Sequence, residues 1–368
     1  MKIIDLTTKT QPIHVQLDPS PVYDLLAAMY LVENWTSERE FEIDRRWVAR
    51  ARAALGPALR KDLRLFGKER GFLMGLTSLL ERRPGISVSE FLTELAATPP
   101  ADVLERMLTS PRAARQAVPL VREALRRPSE STVTAAVTAY PPEFDGARIR
   151  AILSMGAHAA HGRIIALVRA FYERVYRAQE AEVLPVLRAE VEAKRALAAV
   201  VSPLELVERA SGGFTISPDS EITHVILAPA VHFRPYNLLS EFPGARVFIY
   251  PVTADAGDPA AAAQELTRFF KALGDATRLR IVQLLSDREM YLQEIANRAG
   301  VTHVTAIHHL ALLRAAHVVR VVERQNKSYY QLRPEVGGEI NARLDDLFRR
   351  PPAGAVTPGT ARSDAGMV

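Results

Sequence analysis

Residues 302–308 place hydroxyl, imidazole and branched apolar side chains within about two turns of a predicted helix. Hydroxyl and imidazole groups exchange hydrogen bonds with base edges, and branched apolar side chains contact thymine methyl groups. The residues that could make such contacts are Thr302, His303, Val304, Thr305, Ile307 and His308. A basic hairpin tip follows, where polar and cationic side chains suit phosphate oxygens: Arg324, Gln325 and Lys327. The set predicts contact with double-stranded DNA, and the alternative interpretation is a solvated helix face with solubilising charges.

Two helices and a hairpin must hold these residues in place. Apolar residues recur at helical spacing in YLQEIANRA (291–299), and Gly300 then supplies the positive φ that a tight turn needs. Thr302 caps a second helix, whose buried stripe is predicted to be Ala306, Leu310 and Leu313. Strands are predicted at 318–323 and 328–332. A helix, a turn and a helix form the arrangement in which the second helix enters the major groove, and the hairpin makes a wing.

Residues 266–334 resemble the winged-helix domain of the ArsR family of transcriptional regulators. The resemblance rests on four segments in the family's order and spacing: LGDATRLRIVQLL (273–285), LQEIANRAGV (292–301), HHLALLRAA (308–316) and SYYQLRP (328–334). The resemblance covers less than a quarter of the chain, and it implies a homodimer formed through helices that flank the winged helix. A two-fold dimer in turn implies an inverted-repeat operator. A last helix at 335–349 fits the dimer role, because it has an apolar stripe of Ile340, Leu344 and Leu347.

The sequence departs from the family pattern in three ways. Val304 and Ile307 stand where the family usually has small hydroxyl residues, so the preferred DNA sequence should differ. His317 stands where the family usually has a glycine after the second helix. The family's metal sensors use a cysteine pair, or histidine and acidic ligands on the last helix, and neither set is present in this sequence. We therefore expect no metal site and no cofactor, and an effector that is not a metal, or none.

Composition excludes several classes of function. The chain has no cysteine, so it has no disulfide, thiolate metal site or thiol nucleophile. The net charge is +5, and residues 261–350 contain 14 Lys and Arg against 10 Asp and Glu, so the basic excess lies with the predicted DNA-binding segment. The first residues lack the apolar stretch of a signal peptide, and the apolar segment 147–171 carries too much charge for a membrane span. We expect a cytoplasmic protein with no membrane contact.

Helical periodicity dominates up to about residue 210, and short runs of β-branched and aromatic residues then replace it. We predict a mainly α fold with small β elements, in which a helical N-terminal region and a small sheet precede a C-terminal winged helix-turn-helix domain. The predicted segments are 1–210 (mostly helical sensor or assembly region), 211–253 (small β-rich segment), 254–260 (linker), 261–350 (winged helix-turn-helix domain) and 351–368 (disordered tail). Within the first segment, Pro185 is predicted to end or kink a long helix.

Side chains near the predicted sheet could hold a small-molecule effector. Imidazole, guanidinium and phenol groups suit an acidic or aromatic ligand, and the candidates are His224, His232, Arg234 and Tyr236. Ordinary loop and sheet packing is the alternative interpretation of these residues. His158 and His161 stand three residues apart on a helix, which could place two imidazoles on one metal, but we can assign no third ligand to them.

The sequence contains no nucleotide-binding or hydrolase motif, and we assign no catalytic residue. The favoured hypothesis is a sequence-specific, DNA-binding transcriptional regulator that is not an enzyme. One rival is an N-terminal enzyme or ligand-binding domain with a fused autoregulatory DNA-binding domain, and another is a winged helix that serves protein contacts only. Titratable residues clustered in a deep N-terminal pocket would favour the enzyme, and an acidic recognition face would favour protein contacts.

Overall fold

The computed structural model describes residues 13–36, 41–68, 72–110, 112–216, 222–252, 259–324 and 327–348. The chain divides into two compact units, Met1–Leu332 and Arg333–Val368. Within the first unit we call residues 13–252 the body and residues 259–332 the head. The predicted tail at 351–368 lies outside the described residues, and so does most of the predicted linker, whose last two residues begin a helix.

The body is mainly helical, as the sequence predicts. Its described α-helices are α1 Pro21–Asn34, α2 Arg45–Gly67, α3 Val88–Ala97, α4 Pro100–Thr109, α5 Val118–Arg126, α6 Glu130–Thr138, α7 Gly146–Ser154, α8 Ala157–Phe171, α9 Arg177–Ala198 and α10 Pro203–Ala210. Short 3-10 helices run over Leu73–Leu79 and Arg112–Ala117, and a π-helical turn over Tyr172–Tyr176 joins α8 to α9. Ser20 and Pro21 begin α1, where the Ser20 hydroxyl accepts a hydrogen bond from the backbone N–H of Val22.

The core of the body surrounds α1. Its side chains are buried on every side from Val22 to Val32, with the exception of the half-buried Tyr30, so α1 is a core helix rather than an amphipathic surface helix. It packs against α2, α9 and the central strand of the sheet described next. One carboxylate, Asp24, is buried with it and is fully enclosed.

The strands form two sheets of four. The first contains β1 His14–Leu17, β3 His224–Ala230, β4 Leu238–Phe242 and β5 Ala245–Pro251, in the order β1-β3-β5-β4. β1, β3 and β5 are parallel, and β4 is antiparallel to β5. β3 and β5 are buried on both faces: Ile226 and Val247 join the main core, while Val225 and Phe248 pack with α10. The β-rich segment therefore folds together with the start of the chain.

The second sheet joins the body to the head. It contains β2 Phe214–Thr215, β6 Met290–Tyr291, β7 Val319–Arg324 and β8 Lys327–Leu332, in the order β2-β7-β8-β6. β7 and β8 are antiparallel and form the predicted hairpin. β2 runs parallel to β7, with Phe214 opposite Val321. The body thus adds a strand to the sheet of the wing.

The remaining helices are α11 Pro259–Leu273, α12 Ala276–Asp287, α13 Leu292–Ala299, α14 His303–Ala315 and, in the second unit, α15 Val336–Phe348. This arrangement confirms the predicted fold class. Of the two alternatives predicted for Pro185, the helix end is wrong, because α9 continues through this residue to Ala198, and the kink stays a prediction. Burial of the neighbouring Val183 and Leu187 against the body offsets the lost backbone hydrogen bond.

The apolar segment 147–171 is split into α7 and α8 at Gly156, which has a φ of 82°. Among the described helices, none alone is long and apolar enough to cross a membrane. Gly146–Ser154 and the run Ala157–Ala198 are together long and apolar enough for a membrane span, but the two are bent by 105° relative to each other.

Candidate nucleic-acid interface

Two residues set the turn between α13 and α14. Gly300 adopts the left-handed conformation (φ 72°, ψ 34°), which glycine takes without steric cost. The Thr302 hydroxyl accepts a hydrogen bond of 3.2 Å from the backbone N–H of Thr305 and so caps α14. The predicted stripe of Ala306, Leu310 and Leu313 is buried within the head. The predicted helix-turn-helix geometry is confirmed.

The first two turns of α14 remain open to solvent. Thr302, His303 and Val304 are exposed, and the side chain of Val304 retains 68% of its accessible surface. Thr305, Ile307 and His308 are half-buried on the flanks of the same surface. The recognition face therefore offers hydroxyl, imidazole and methyl groups and no carboxylate. This chemistry suits base edges and thymine methyl groups.

The wing carries an exposed cation. Lys327 is exposed at the start of β8, and its backbone pairs with that of Arg324 at the end of β7. The side chain of Arg324 and all of Gln325 lie outside the described residues. Among the predicted tip residues, the structure thus describes one exposed cation, and its contact with a phosphate stays a prediction.

The end of α14 is closed by an unusual residue. His317 adopts a φ of 56°, a left-handed conformation that is uncommon outside glycine. Its N–H donates to the carbonyl of Arg314, and the N–H of Val318 donates to that of Leu313, both at 2.9 Å. These two bonds form a Schellman motif. The imidazole packs over Gly212 of the body, where an added Cβ would lie 3.3 Å from the ring.

The back of α14 contacts the body through a buried arginine. Arg314 donates to the carbonyl of Ser211 at 3.2 Å, and its guanidinium lies 4.3 Å from the ring centroid of Phe214. Burial lowers the pKa of Arg314 to about 10, so it remains charged at neutral pH. Sequence reasoning missed this residue, although an arginine inside the apolar run LALLRAA (310–316) was a signal. Arg314 fixes the recognition helix to the strand that the body adds to the wing.

His309 lies inside the head. Its ring nitrogen Nδ1 is 3.8 Å from a carboxylate oxygen of Asp275, and its side chain is 13% exposed. Burial lowers the pKa of His309, and the nearby Asp275 opposes that shift only in part. His309 therefore packs between the start of α12 and α14.

The four effector candidates do not line one cavity. His224 lies at one end of β3, 3.7 Å from Glu81, while the other three follow the opposite end of the strand. His232 is buried, with its Nδ1 2.7 Å from Asp24 and its Nε2 2.8 Å from Gln179. Arg234 is paired with Glu42 at 2.9 Å, and Tyr236 is buried. An effector site formed by these four residues stays a prediction.

A cavity of about 780 Å³ lies elsewhere in the body, between α4, α5 and the turn after β4. Two of its described carboxylates are engaged by arginines: Glu105 accepts two hydrogen bonds from Arg122, and Glu241 accepts one of 2.8 Å from Arg115. A third, Asp102, is exposed. In the described part of the chain, no group of three or more His, Asp or Glu side chains could hold a metal ion.

Comparison with known proteins points to the same segment. A family model described as a helix-turn-helix domain matches residues 273–322. The HTH-type transcriptional regulator KmtR of Mycobacterium tuberculosis is 33% identical over 98 residues, which are 27% of this chain and 74% of that relative. The transcriptional repressor SmtB homolog of Synechocystis is 31% identical over 70 residues, which are 19% of this chain and 53% of that relative.

Among solved structures, one similar chain is the homodimeric winged helix-turn-helix DNA-binding domain of a Mycobacterium bovis protein, described as a possible ArsR-family transcriptional regulator. It is 26% identical and covers 26% of this chain and 87% of its own, with a TM-score of 0.22. NolR from Sinorhizobium fredii is 24% identical over 26% of this chain and 97% of its own, also with a TM-score of 0.22.

Proposed function

Because the chain belongs to the ArsR family of helix-turn-helix transcriptional regulators, we propose that it binds a specific inverted-repeat operator as a homodimer. The proposal rests on one observation, that one side of α14 is buried while the other is open to solvent. One side is buried in the head through Ala306, Leu310 and Leu313, while the first two turns present polar and methyl groups to solvent. A helix held in this way can enter the major groove with its N-terminal end.

The proposed contacts divide into two kinds. Base edges and thymine methyl groups are read by α14, through Thr302, His303, Val304, Thr305, Ile307 and His308. The DNA backbone is held by the wing, through Arg324, Gln325 and Lys327. The proposal keeps the predicted segment boundaries. It also keeps a cytoplasmic location, because a transcriptional regulator must reach the DNA that it binds.

Phosphate contact by the wing gives a prediction. Lys327→Ala should weaken binding to operator and to random DNA alike and should lower the salt slope by about one, because one phosphate loses its counter-charge. The measurement is a titration of both DNAs at several salt concentrations. Lys61→Ala, which removes another exposed lysine from α2, is the matched control and should change neither value. A loss confined to the operator would instead assign Lys327 to a base.

The homodimer is proposed from exposed apolar side chains on flanking helices. Phe270 on α11 is 38% exposed and Phe348 on α15 is 77% exposed, so each helix presents an aromatic ring to solvent in the single chain. Burial of such rings in an interface is favourable. Ile340 and Leu344 of the predicted stripe are half-buried on α15, and the side chain of Leu347 lies outside the described residues.

We expect light scattering to give a dimer at micromolar concentration and genome-wide mapping of bound DNA to give an inverted repeat. The half-site centres should be about one helical turn apart, since the operator mirrors the two-fold symmetry of the protein. Phe348→Asp should produce a monomer, because it places a charge in the interface. Leu204→Asp, at an exposed apolar residue of the body, is its control and should leave the dimer intact. A wild-type monomer, with and without DNA, contradicts the proposal.

The enzyme hypothesis receives no specific support from the described cavities. The larger one uses Glu105 and Glu241 in arginine pairs, which leaves these carboxylates in structural roles. The protein-contact hypothesis is disfavoured by the recognition face itself, which carries no acidic side chain in the described residues.

A further inference from the structure

A second cavity, of about 400 Å³, lies between the body and the head. Its walls come from both parts: Phe41 and Pro235 from the body, Ala272 from α11, and Leu312 and Ala315 from the last turns of α14. The volume is within the range of small-molecule sites, which begins at about 300 Å³. The recognition helix is therefore one wall of a ligand-sized cavity.

The floor of this cavity is apolar and partly aromatic. Phe41 packs edge-on against Tyr236, with ring centroids 5.2 Å apart, and lies 5.3 Å from the ring of Phe233. Leu312 and Ala315 belong to the core of the body although they lie on the recognition helix. These side chains suit a flat or branched apolar group.

The described part of the cavity rim has an excess of positive charge. Among the described lining residues, three are cations, Arg268, Lys271 and Arg278, and one is a carboxylate, Glu42. That carboxylate is already paired with Arg268 and with Arg234 of the body.

Two of these cations can still bind an anionic ligand. Lys271 has no ion-pair partner among the described residues. Arg278 donates through Nε to the carbonyl of Ala272 and through one terminal nitrogen to that of Lys271, and its charge also acts on the nearby carboxylate of Asp275. An anionic group at the rim could accept charge-assisted hydrogen bonds from both cations.

We propose that this cavity binds a small organic anion with an apolar body, such as an aromatic or branched carboxylate. The apolar part lies against Leu312, Ala315 and Phe41, and the anionic group meets Lys271 and Arg278. A ligand in this place binds only the arrangement in which the head is docked on the body, so it stabilises that arrangement. Its coupling to DNA rests on the proposed function, whereas its binding does not.

The binding test uses the full chain and 8-anilinonaphthalene-1-sulfonate, a fluorescent aromatic anion, as the probe. We expect one probe bound per chain, with displacement by 3-phenylpropionate and none by sulfate, which lacks an apolar body. Lys271→Glu should weaken the probe at least tenfold. Arg280→Glu, an equal charge reversal at an exposed residue of α12, is the control and should change its affinity less than twofold.

A second variant tests whether the wall of the cavity formed by α14 contacts the ligand. Ala315→Phe should fill the cavity and abolish stoichiometric binding, with folding checked by circular dichroism. Should that variant fail to fold, Lys271→Glu decides alone, because Lys271 is exposed. The proposal is overturned if the probe does not bind, or if Lys271→Glu leaves its affinity unchanged. It is also overturned if Arg280→Glu weakens the probe as much as Lys271→Glu does.

The coupling between ligand binding and DNA binding is measured in a separate experiment. If 3-phenylpropionate changes operator affinity by some factor, operator must change the affinity for 3-phenylpropionate by the same factor, because linkage is reciprocal. A protein that binds the probe as described but binds no DNA would contradict the proposed function and leave this ligand site standing.

Discussion

Replacing Asp24 with alanine should lower the free energy of unfolding by about 3–5 kcal/mol, because it removes a buried carboxylate on which several hydrogen-bond donors converge. Asp24 is fully buried and accepts hydrogen bonds from the backbone N–H groups of Val231 and His232, at 2.7 and 2.9 Å. Its other oxygen is 2.7 Å from Nδ1 of His232 and accepts from the hydroxyl of Tyr176 at 2.9 Å. The substitution would leave all of these donors without an acceptor.

The carboxylate of Asp24 should also make the stability of the fold depend on pH. Burial by itself would raise the pKa of Asp24, but the charge of His232 and the hydrogen bonds outweigh it and lower the pKa below the usual value of 3.8. An acid whose pKa is lower in the folded state stabilises the fold above its unfolded pKa and loses that contribution as pH falls through the folded pKa. The difference in stability between the wild type and Asp24→Asn should therefore shrink below about pH 4.

Urea unfolding of the full chain measures both effects. Asp102→Ala, at an exposed acid on α4, is the control and should change the free energy of unfolding by less than about 0.5 kcal/mol. Tyr176→Phe removes one donor and keeps the carboxylate, so it should cost only about 1 kcal/mol and still fold. Equal stability of Asp24→Ala and the wild type would show that the network does not hold α1 to the end of β3.

The head was predictable because its signals are local. Gly300, the Thr302 cap and the stripe Ala306, Leu310, Leu313 all lie within a few residues of one another, and each acts through backbone preference or helical spacing. A local signal of the same kind, a hydroxyl cap followed by a proline, marks the start of α1 at Ser20 and Pro21. Pro185 shows the limit of local rules, since burial of its neighbours keeps α9 continuous.

The contacts between distant segments could not be read from spacing. Asp24 and His232 are 208 residues apart, and Arg314 meets Ser211 across 103 residues. The fold of the body determines which of these residues meet. The spacing of residues in a single sequence does not predict such contacts. The effector candidates illustrate the consequence: aromatic and cationic composition identified a plausible chemistry, but His232 is engaged inside the core and the ligand-sized cavity takes other residues.

Removing both imidazoles from the recognition helix, in the variant His303→Ala, His308→Ala, should cost about 2–6 kcal/mol of operator affinity. Each lost base contact is worth about 1–3 kcal/mol, and the two residues lie on separate turns, so their effects should nearly add. His303 is exposed and His308 is half-buried, both within the first two turns of α14. Binding to random DNA should change far less, because its affinity comes from phosphates.

Titrations of the variant and the wild type against operator and random DNA at two salt concentrations measure this difference. They belong near pH 8, because protonated imidazole also attracts the phosphates of any DNA. His158→Ala, which removes an exposed imidazole from α8, is the control and should leave both affinities unchanged. Equal losses on the two DNAs would place both histidines at the backbone. No loss on either would mean that α14 does not enter the groove, and the winged helix would then be a protein-binding surface.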